Sequence, residues 1–246
     1  MRAEPSHKSE QVSQLLFGEL CEVTEAAKDF LKVKCRYDGY EGWCQNTQLC
    51  KSTIPEEEKH TEILSNNFTA EISINGALMI IPLGSSLSVF QQGAAELQNN
   101  KLQFEGRGLN PQESRFNEAS IKAIANKYLN TAYLWGGKSV FGIDCSGFTQ
   151  MVFKFLNVFL YRDAHQQATQ GEVAGFLEEA RCGDLAFFDN DEGKIIHTGI
   201  LLKSSSIIHA SGKVRIDGID HTGIINVETQ QHTHKLRIIK RYARLE

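Results

Sequence analysis

The 246-residue sequence predicts an α+β protein in which small all-β modules precede a domain of helices followed by strands. Asp-Gly and Glu-Gly pairs within residues 37–43 are typical of tight hairpins. Apolar residues recur at helical spacing over residues 120–129 and 146–156, whereas short apolar runs rich in isoleucine follow residue 182. These three observations place the β modules first and the mixed domain last.

The composition, 41% apolar and 23% charged, is that of an ordinary globular chain. A net charge of −4 with scattered lysines and arginines argues against nucleic acid as a partner. The sequence shows neither an apolar run long enough for a membrane span nor an apolar leader after Met1. We therefore expect no membrane span and a cytoplasmic location, or a secreted or periplasmic one if a leader has been removed.

Residues 1–52 contain short strand-like runs at 11–17, 20–24, 30–35 and 37–43, which predict a small barrel. The polar, acidic stretch 51–62 contains a proline and predicts a linker. Residues 53–109 predict a second barrel-like module, with strands at 70–74, 77–81, 86–91 and 101–105 and a turn at Asn75-Gly76. Residues 110–114 mark the start of the last domain, 110–246.

Cys145 ends a glycine-rich turn and opens the predicted helix at 146–156. A thiol at a helix N-terminus faces the positive end of the backbone dipole, which can lower its pKa from about 8.5 toward about 3.5–7.5. The alternative for a lone cysteine is a small buried hydrophobic residue. The flanking glycines and the preceding acid favour a nucleophile whose helical first turn faces a substrate.

Two downstream histidines supply a base for this nucleophile. His197 lies in the apolar run 195–202 and His209 in the run 206–211, which predict adjacent antiparallel strands. His197 would take the thiol proton while His209 orients it. Without a cysteine to serve, His197 would be a core histidine. The remaining candidates are predicted to be surface residues: His165, His221, His232 and His234.

The six cysteines match no common zinc spacing, and a chain of this length does not need disulfide staples. We expect the five cysteines other than Cys145 to be ordinary reduced residues. The pair His232 and His234 supplies only two ligands, too few for a zinc site. The sequence therefore predicts neither a metal nor a cofactor.

Five motifs follow one another in a fixed order: Tyr-x-Trp-Gly-Gly at 133–137, Asp-Cys-Ser-Gly-Phe at 144–148, Gly-Asp-Leu-x-Phe-Phe at 183–188, His-x-Gly-Ile at 197–200 and Ile-His-Ala at 208–210. Together they resemble the NlpC family of bacterial cell-wall cysteine peptidases. The resemblance implies a papain-like α+β catalytic domain that hydrolyses γ-D-glutamyl–diamino-acid bonds in peptidoglycan peptides.

The resemblance also implies roles for side chains around the cysteine. Asp144 and Ser146 would line the substrate groove, although Asp144 could simply cap the helix, a role worth about 1 kcal/mol. Tyr133 would support the oxyanion beside the backbone N–H of Cys145. Trp135 would form a wall of the groove, with plain core packing as the alternative.

The turn at 162–164 resembles a family Arg-Asp-Ser segment that holds the substrate's N-terminal L-Ala and D-Glu. Asp163 is retained, but Ala164 replaces the serine, so one hydroxyl contact is missing. The other parts of the pocket would come from the first β module.

Residues 1–52 resemble a bacterial SH3-like barrel, a companion of NlpC domains. In such proteins the first barrel supplies an acid and a tyrosine that recognise a free α-amine. Tyr40 matches the tyrosine, and Glu10 is the nearest acid, with Glu4 as the alternative and solvated surface glutamates as the plain reading. A closed groove with a buried carboxylate would admit only a substrate whose ammonium pairs with it.

The sequence thus predicts a cysteine endopeptidase that recognises N-terminal L-Ala-γ-D-Glu in short free murein peptides. It would cut between D-Glu and L-Lys or diaminopimelate. Two alternatives remain open: another papain-like amidase or acyltransferase acting on peptidoglycan, and a non-catalytic wall-binding protein.

Overall fold

A computed structural model describes residues 1–52 and 62–243 and divides the chain into two compact units. The first unit contains Met1–Gln112 with Trp135–Val140, and the second contains Glu113–Leu134 with Phe141–Glu246. The predicted linker at 51–62 falls almost wholly outside the described residues. The domain boundaries at 52/53 and 109/110 remain predictions.

The first unit is built from short strands. They are β1 (Cys21–Ala27), β2 (Phe30–Cys35), β3 (Glu41–Gln45), β4 (Leu64–Ser65), β5 (Thr69–Ile74), β6 (Ala77–Pro82), β7 (Ala94–Leu97), β8 (Asn100–Gln103), β9 (Gly108–Leu109) and β10 (Lys138–Ser139). Strands β1, β2 and β3 form an antiparallel meander, as the short-strand pattern predicts.

The predicted strand at 11–17 is wrong, because within this segment only Gln11 forms a β-bridge, to Arg2. The chain instead turns at Gly18, whose φ of 76° suits glycine and whose missing side chain leaves room for the carbonyl oxygen of Ser86. The N–H of Leu16 donates a hydrogen bond to the carboxylate of Glu19 rather than to a strand partner.

Strands β6-β5-β8-β7 form a four-stranded antiparallel sheet in the second half of the first unit. The β5–β6 hairpin turns at Asn75-Gly76, both with positive φ, as predicted. The predicted strand at 86–91 is wrong. There the N–H of Phe90 bonds back to the carbonyl of Leu87, which closes a turn.

The second unit contains the long helices and the large sheet. Its elements are α1 (Glu118–Lys127), β11 (Gly142–Ile143), α2 (Cys145–Phe155), α3 (Ala164–Gln167), β12 (Glu172–Val173), β13 (Leu185–Asp189), β14 (Ile195–Lys203), β15 (Ser206–Ser211), β16 (Lys213–Ile219), β17 (Gly223–Ile225) and β18 (His232–Arg241). The sheet order is β12-β18-β13-β14-β15-β16-β17, and β17 also pairs with β18. Strands β13 to β18 therefore close on themselves.

Helix α2 is buried along its whole length, and it confirms the helix predicted at 146–156. Two of its buried polar side chains bond within the protein: the Thr149 hydroxyl lies 2.8 Å from Gln167 Oε1, and Gln150 Nε2 donates to the carbonyl of Leu160 at 3.1 Å. In its first turn Cys145 and Ser146 are each only 6% exposed, and the expectation that this turn faces a substrate remains a prediction.

The helical pattern predicted between 146 and 182 is only partly correct. After α2 ends at Phe155, Asn157 adopts a φ of 56°, a left-handed conformation that stops a helix. Between there and Cys182, α3 is the one α-helix that the structure describes, and it is four residues long.

Candidate active site

Cys145 is the first residue of α2, and two local features fix its position. Asp144 caps the helix, since its Oδ1 accepts a hydrogen bond of 2.7 Å from the N–H of Gly147. The preceding chain is held at Tyr133, whose N–H donates to the carbonyl of Gly212 and which forms a parallel bridge with Ile143.

The pKa of the Cys145 thiol moves opposite to the sequence expectation. Burial, and to a smaller extent the carboxylate of Asp144, raises it to about 12. The backbone N–H of Thr198 bonds the sulfur and lowers its pKa, as do Arg162 and the N–H of Ser146, but these effects are smaller. The helix N-terminus supplies N–H groups, yet removing the sulfur from water outweighs them.

A buried ion pair stands beside the cysteine. The guanidinium of Arg162 binds Asp144 through both terminal nitrogens, at 3.0 Å to Oδ1 and 2.6 Å to Oδ2. It also donates to the Ser146 hydroxyl at 3.0 Å. Asp144 is thus both a helix cap and half of a bidentate pair. Contact of Asp144 and Ser146 with a substrate remains a prediction.

His197 on β14 and His209 on β15 lie side by side, as the strand pattern predicts. His197 Nε2 and His209 Nδ1 are 2.8 Å apart, and both residues are buried. Burial lowers the pKa of His197 well below its usual value, and the neighbouring His209 and His234 lower it further. His197 is therefore a neutral imidazole at neutral pH.

The polar chain continues past His209 to Asp217 on β16. His209 Nε2 lies 3.0 Å from Asp217 Oδ2, and both side chains are 1% exposed. Asp217 also accepts a hydrogen bond from the N–H of Val227 at 3.0 Å and pairs with Arg215. Burial alone would raise the pKa of Asp217, but the hydrogen bonds from His209, Val227 and Arg215 lower it to about 2.

His234 is not the surface residue that the sequence predicts. Its ring stacks on that of His197, with centroids 4.1 Å apart and an interplanar angle of 24°. Phe188 contacts His234 edge-on, at 6.0 Å between centroids. Burial lowers the pKa of His234 to about 4, so the ring that covers His197 is neutral as well. His232 points elsewhere and pairs with Asp220.

The Tyr133 hydroxyl belongs to the same cluster as the cysteine. Burial raises its pKa, and the charges of Cys145 and then Asp144 raise it further, while Arg162 lowers it. The phenol therefore keeps its proton and is a hydrogen-bond donor near the thiol. Its role toward an oxyanion remains a prediction.

Asp163 and Ala164 lie at the start of α3. Asp163 is the N-cap residue, and its N–H lies 3.4 Å from Gln166 Oε1. Ala164 is buried at 8% exposure. The contact of this turn with a substrate remains a prediction.

Within the first unit, Trp135 joins the residues expected to bind an amine. Its indole N–H donates to Glu10 Oε1 at 2.6 Å, and its carbonyl accepts from the amide of Gln11 at 3.0 Å. Trp135 is 60% exposed, so plain core packing is wrong for it. Tyr40 is half-buried beside β3, with its N–H bonded to Asp38, and Glu4 is exposed.

Sequence reasoning missed Asp217, Arg215 and His234. Asp217 stands at a polar position in the alternation of β16, where the pattern predicts an exposed acid, but the structure buries it. Arg162 was noticed only as part of a motif. His234 carries no local signal, because it contacts His197 across almost forty residues of sequence.

The described part of the chain, residues 1–52 and 62–243, contains no group of three His, Cys, Asp or Glu side chains that could hold a metal ion. The helices described there are all too short or too polar to cross a bilayer. All six cysteines lie in this part and are free thiols.

Comparison with known proteins identifies both parts of the chain. Residues 130–235 match the NlpC/P60 family, and residues 1–49 match the bacterial dipeptidyl-peptidase Sh3 domain. The chain is a cysteine peptidase that carries an NlpC/P60 domain. The predicted resemblance is thereby confirmed, as is a papain-like domain preceded by an SH3-type domain.

Two curated relatives of this NlpC/P60 peptidase cover most of its length. The gamma-D-glutamyl-L-lysine dipeptidyl-peptidase of Bacillus subtilis is 29% identical over 215 residues, which are 80% of this chain and 71% of the relative. Dipeptidyl-peptidase 6 of Lysinibacillus sphaericus is 26% identical over 250 residues, covering 89% and 88%.

A solved structure agrees with the fold. The crystal structure of an NlpC/P60 family protein from Bacillus cereus superposes with a TM-score of 0.78, covering 94% of this chain and 82% of that one at 23% identity. At that identity the similarity shows the fold alone.

Proposed function

We propose that this NlpC/P60 peptidase hydrolyses the bond between γ-D-Glu and L-Lys, or diaminopimelate, in murein peptides whose N-terminal L-Ala is free. The names of the Bacillus subtilis and Lysinibacillus sphaericus relatives, which align along most of the chain, support this substrate class. An N-terminal domain of the type found in bacterial dipeptidyl-peptidases supports it as well.

One observation supports the chemistry most strongly. The Cys145 sulfur accepts a hydrogen bond from the N–H of Thr198, the residue after His197, and His197 in turn lies 2.8 Å from His209. A thiol, a neutral imidazole and an orienting group are thus brought together from α2, β14 and β15. This is the set that acyl transfer through a thioester requires.

In the proposed reaction, Cys145 Sγ bonds to the γ-carbonyl carbon of D-Glu while its proton passes to His197. Because both groups rest in their neutral forms, proton transfer accompanies attack. The C–N bond then breaks, and the imidazolium of His197 gives the proton to the leaving amine. Water attacks the thioester with His197 as base, which releases L-Ala-D-Glu and restores the thiol. Tyr133 would donate to the oxyanion.

Recognition of the free amine is assigned to Glu10 and Tyr40 in this proposal. The indole of Trp135 holds Glu10 by one carboxylate oxygen, which restricts the rotamers of an exposed acid. A fixed carboxylate suits an ammonium group better than a freely moving one. The second β module, predicted at residues 53–109, is proposed to be a further SH3-like barrel.

The test uses L-Ala-γ-D-Glu-L-Lys and its N-acetylated twin, incubated with wild type and with Cys145→Ala and analysed by mass spectrometry. We expect wild type to release L-Ala-D-Glu from the free-amine peptide only. Cys145→Ala should lose at least about 10³-fold in rate, since it lacks the nucleophile.

The outcomes separate the alternatives. Equal cleavage of both peptides would leave the nucleophile in place but contradict amine recognition, and it would favour an enzyme of the intact wall. Cleavage of neither peptide, together with sedimentation on purified wall, would favour a binding protein. A Glu10→Gln variant that discriminates as well as wild type would remove Glu10 from the proposal.

A further inference from the structure

Asp217 lies at the end of a buried polar chain whose geometry limits where protons can sit. Its Oδ2 lies 3.0 Å from His209 Nε2, and its Oδ1 accepts from Arg215 at 3.1 Å and from the N–H of Val227 at 3.0 Å. The Nε of Arg215 also lies close to this carboxylate, 2.8 Å from Oδ2. Groups carrying hydrogens surround this carboxylate, which stays ionised because its pKa is about 2.

An ionised carboxylate only accepts hydrogen bonds, so His209 Nε2 must carry a hydrogen. In a neutral His209 the other nitrogen, Nδ1, then has a free lone pair. His197 Nε2 lies 2.8 Å from this Nδ1 and must donate to it. The neutral His197 is left with its lone pair on Nδ1, and this is the nitrogen available to a proton.

We infer that Asp217 is a positioning residue that acts through His209 to fix the tautomer of His197, leaving Nδ1 of His197 free to take the thiol proton. The inference rests on the proposed roles of Cys145 and His197. Asp217 touches neither the thiol nor the base, so its effect passes entirely through the orientation and tautomer of His209.

The strand register supports this arrangement. In the β15–β16 pair, His209 lies opposite Arg215 and diagonal to Asp217. In the β14–β15 pair, His209 lies opposite Gly199, where a Cβ would come within 2.7 Å of the His209 Cβ. Gly199 therefore makes room for the ring that transmits the effect.

The test replaces Asp217 with asparagine. The oxygen of the new amide would accept from Val227 and Arg215, so its NH₂ would face His209 Nε2 and donate to it. His209 would then carry its hydrogen on Nδ1 and force His197 Nε2 to accept, which places the hydrogen of His197 on the wrong nitrogen. We expect kcat to fall by about 10²–10⁴-fold with KM within about threefold, by analogy with the aspartate-to-asparagine change in a serine-protease triad.

Imidazole ¹⁵N NMR measures the tautomers directly and needs no turnover. In the wild type we expect hydrogens on Nε2 of both His209 and His197, with Nδ1 of each unprotonated. Asp217→Asn should move the His209 hydrogen to Nδ1. A His209→Gln variant identifies the His209 signals.

Asp220→Asn is the matched control, because Asp220 accepts from His232 at 3.0 Å in a second Asp–His pair that does not reach His197. It should leave kcat and the His197 signals unchanged. A wild-type His209 with its hydrogen on Nδ1 or on both nitrogens would overturn the inference even if Asp217→Asn does not fold. So would Asp217→Asn with kcat within about threefold of wild type. If the wild type has the expected tautomers but cleaves neither peptide, the proposed function alone is contradicted.

Discussion

At the residue scale, Cys145 and His197, the proposed nucleophile and base, are neutral rather than an ion pair. Burial raises the pKa of Cys145 to about 12 and lowers that of His197 well below its usual value. Both shifts have the same cause, since each group would have to carry its charge without water. The thiol is consequently protected at rest, and in the proposed reaction it becomes nucleophilic only as His197 takes its proton.

Alkylation by iodoacetamide should reveal this protection. We expect the rate at Cys145, followed by peptide-resolved mass spectrometry, to keep rising with pH beyond 9.0, the ordinary thiol pKa, because the thiolate is scarce below about 12. The exposed Cys50 in the same sample is the internal reference for reagent activity. A rate at Cys145 that levels off between about pH 3.5 and 7.5, as for an activated thiolate, would contradict the expectation.

The residue scale also shows what sequence patterns leave out. The cysteine before a helical run and the two histidines in apolar strands have recognisable local surroundings, and the structure brings all three together. The direction in which the Cys145 pKa shifts has no such local signal in the sequence. It depends on how much water reaches the sulfur, and that is set by packing from distant parts of the chain.

At the element scale, the segment Trp135–Val140 packs within the first unit rather than the second. Gln14 Oε1 accepts from the N–H of Lys138 at 2.7 Å, and the Lys138 ammonium lies 3.3 Å from both carboxylate oxygens of Glu19. The side chains of this pair are 1% and 2% exposed. This ion pair ties the glycine-rich segment before the cysteine to the N-terminal module.

Removing one member of this buried pair should destabilise the first unit. We expect Lys138→Met to lower the free energy of unfolding by about 3–5 kcal/mol, because the buried Glu19 carboxylate would lose its ammonium partner. Both tryptophans, Trp43 and Trp135, lie in the first unit, so their fluorescence during denaturant unfolding follows it.

Two further variants make this measurement specific. Lys32→Met breaks the more exposed pair with Glu25 in the same unit and should cost much less. The double variant Glu19→Gln, Lys138→Met should recover part of the loss, since no buried charge is left. A Lys138→Met cost no larger than that of Lys32→Met would show that the buried pair contributes little.

At the scale of the whole molecule, the buried neutral histidines make the second unit sensitive to acid. The pKa values of His197 and His234 are lowered from 6.5 in the folded state, the latter to about 4. In the unfolded state these rings bind protons at pH values at which they stay neutral in the folded state. Their contribution to stability is therefore complete above pH 6.5 and is lost as pH falls toward about 4.

Denaturant unfolding followed by helical circular dichroism should show this loss, because the described α-helices lie in the second unit. We expect the midpoint to fall steadily between pH 6.5 and about 4, and further as Asp217 takes up a proton between its usual 3.8 and about 2. His234→Phe should flatten the upper part of this dependence. A midpoint that stays constant from pH 6.5 to 4 would contradict the expected linkage.

The sequence determined the order of the modules, the helix behind Cys145 and the strands that carry His197 and His209, because these follow from local turn chemistry and apolar periodicity. The irregular segments at 11–17 and 86–91 escaped prediction, since turn hydrogen bonds of Leu16 and Phe90 and a bond from the Ser86 N–H to the Phe17 carbonyl replace strand pairing. Only the tertiary structure joined Asp217 and His234 to the histidines and raised the pKa of the thiol. Strand register and the exclusion of water arise when separate segments pack together, so neither can be predicted from one segment alone.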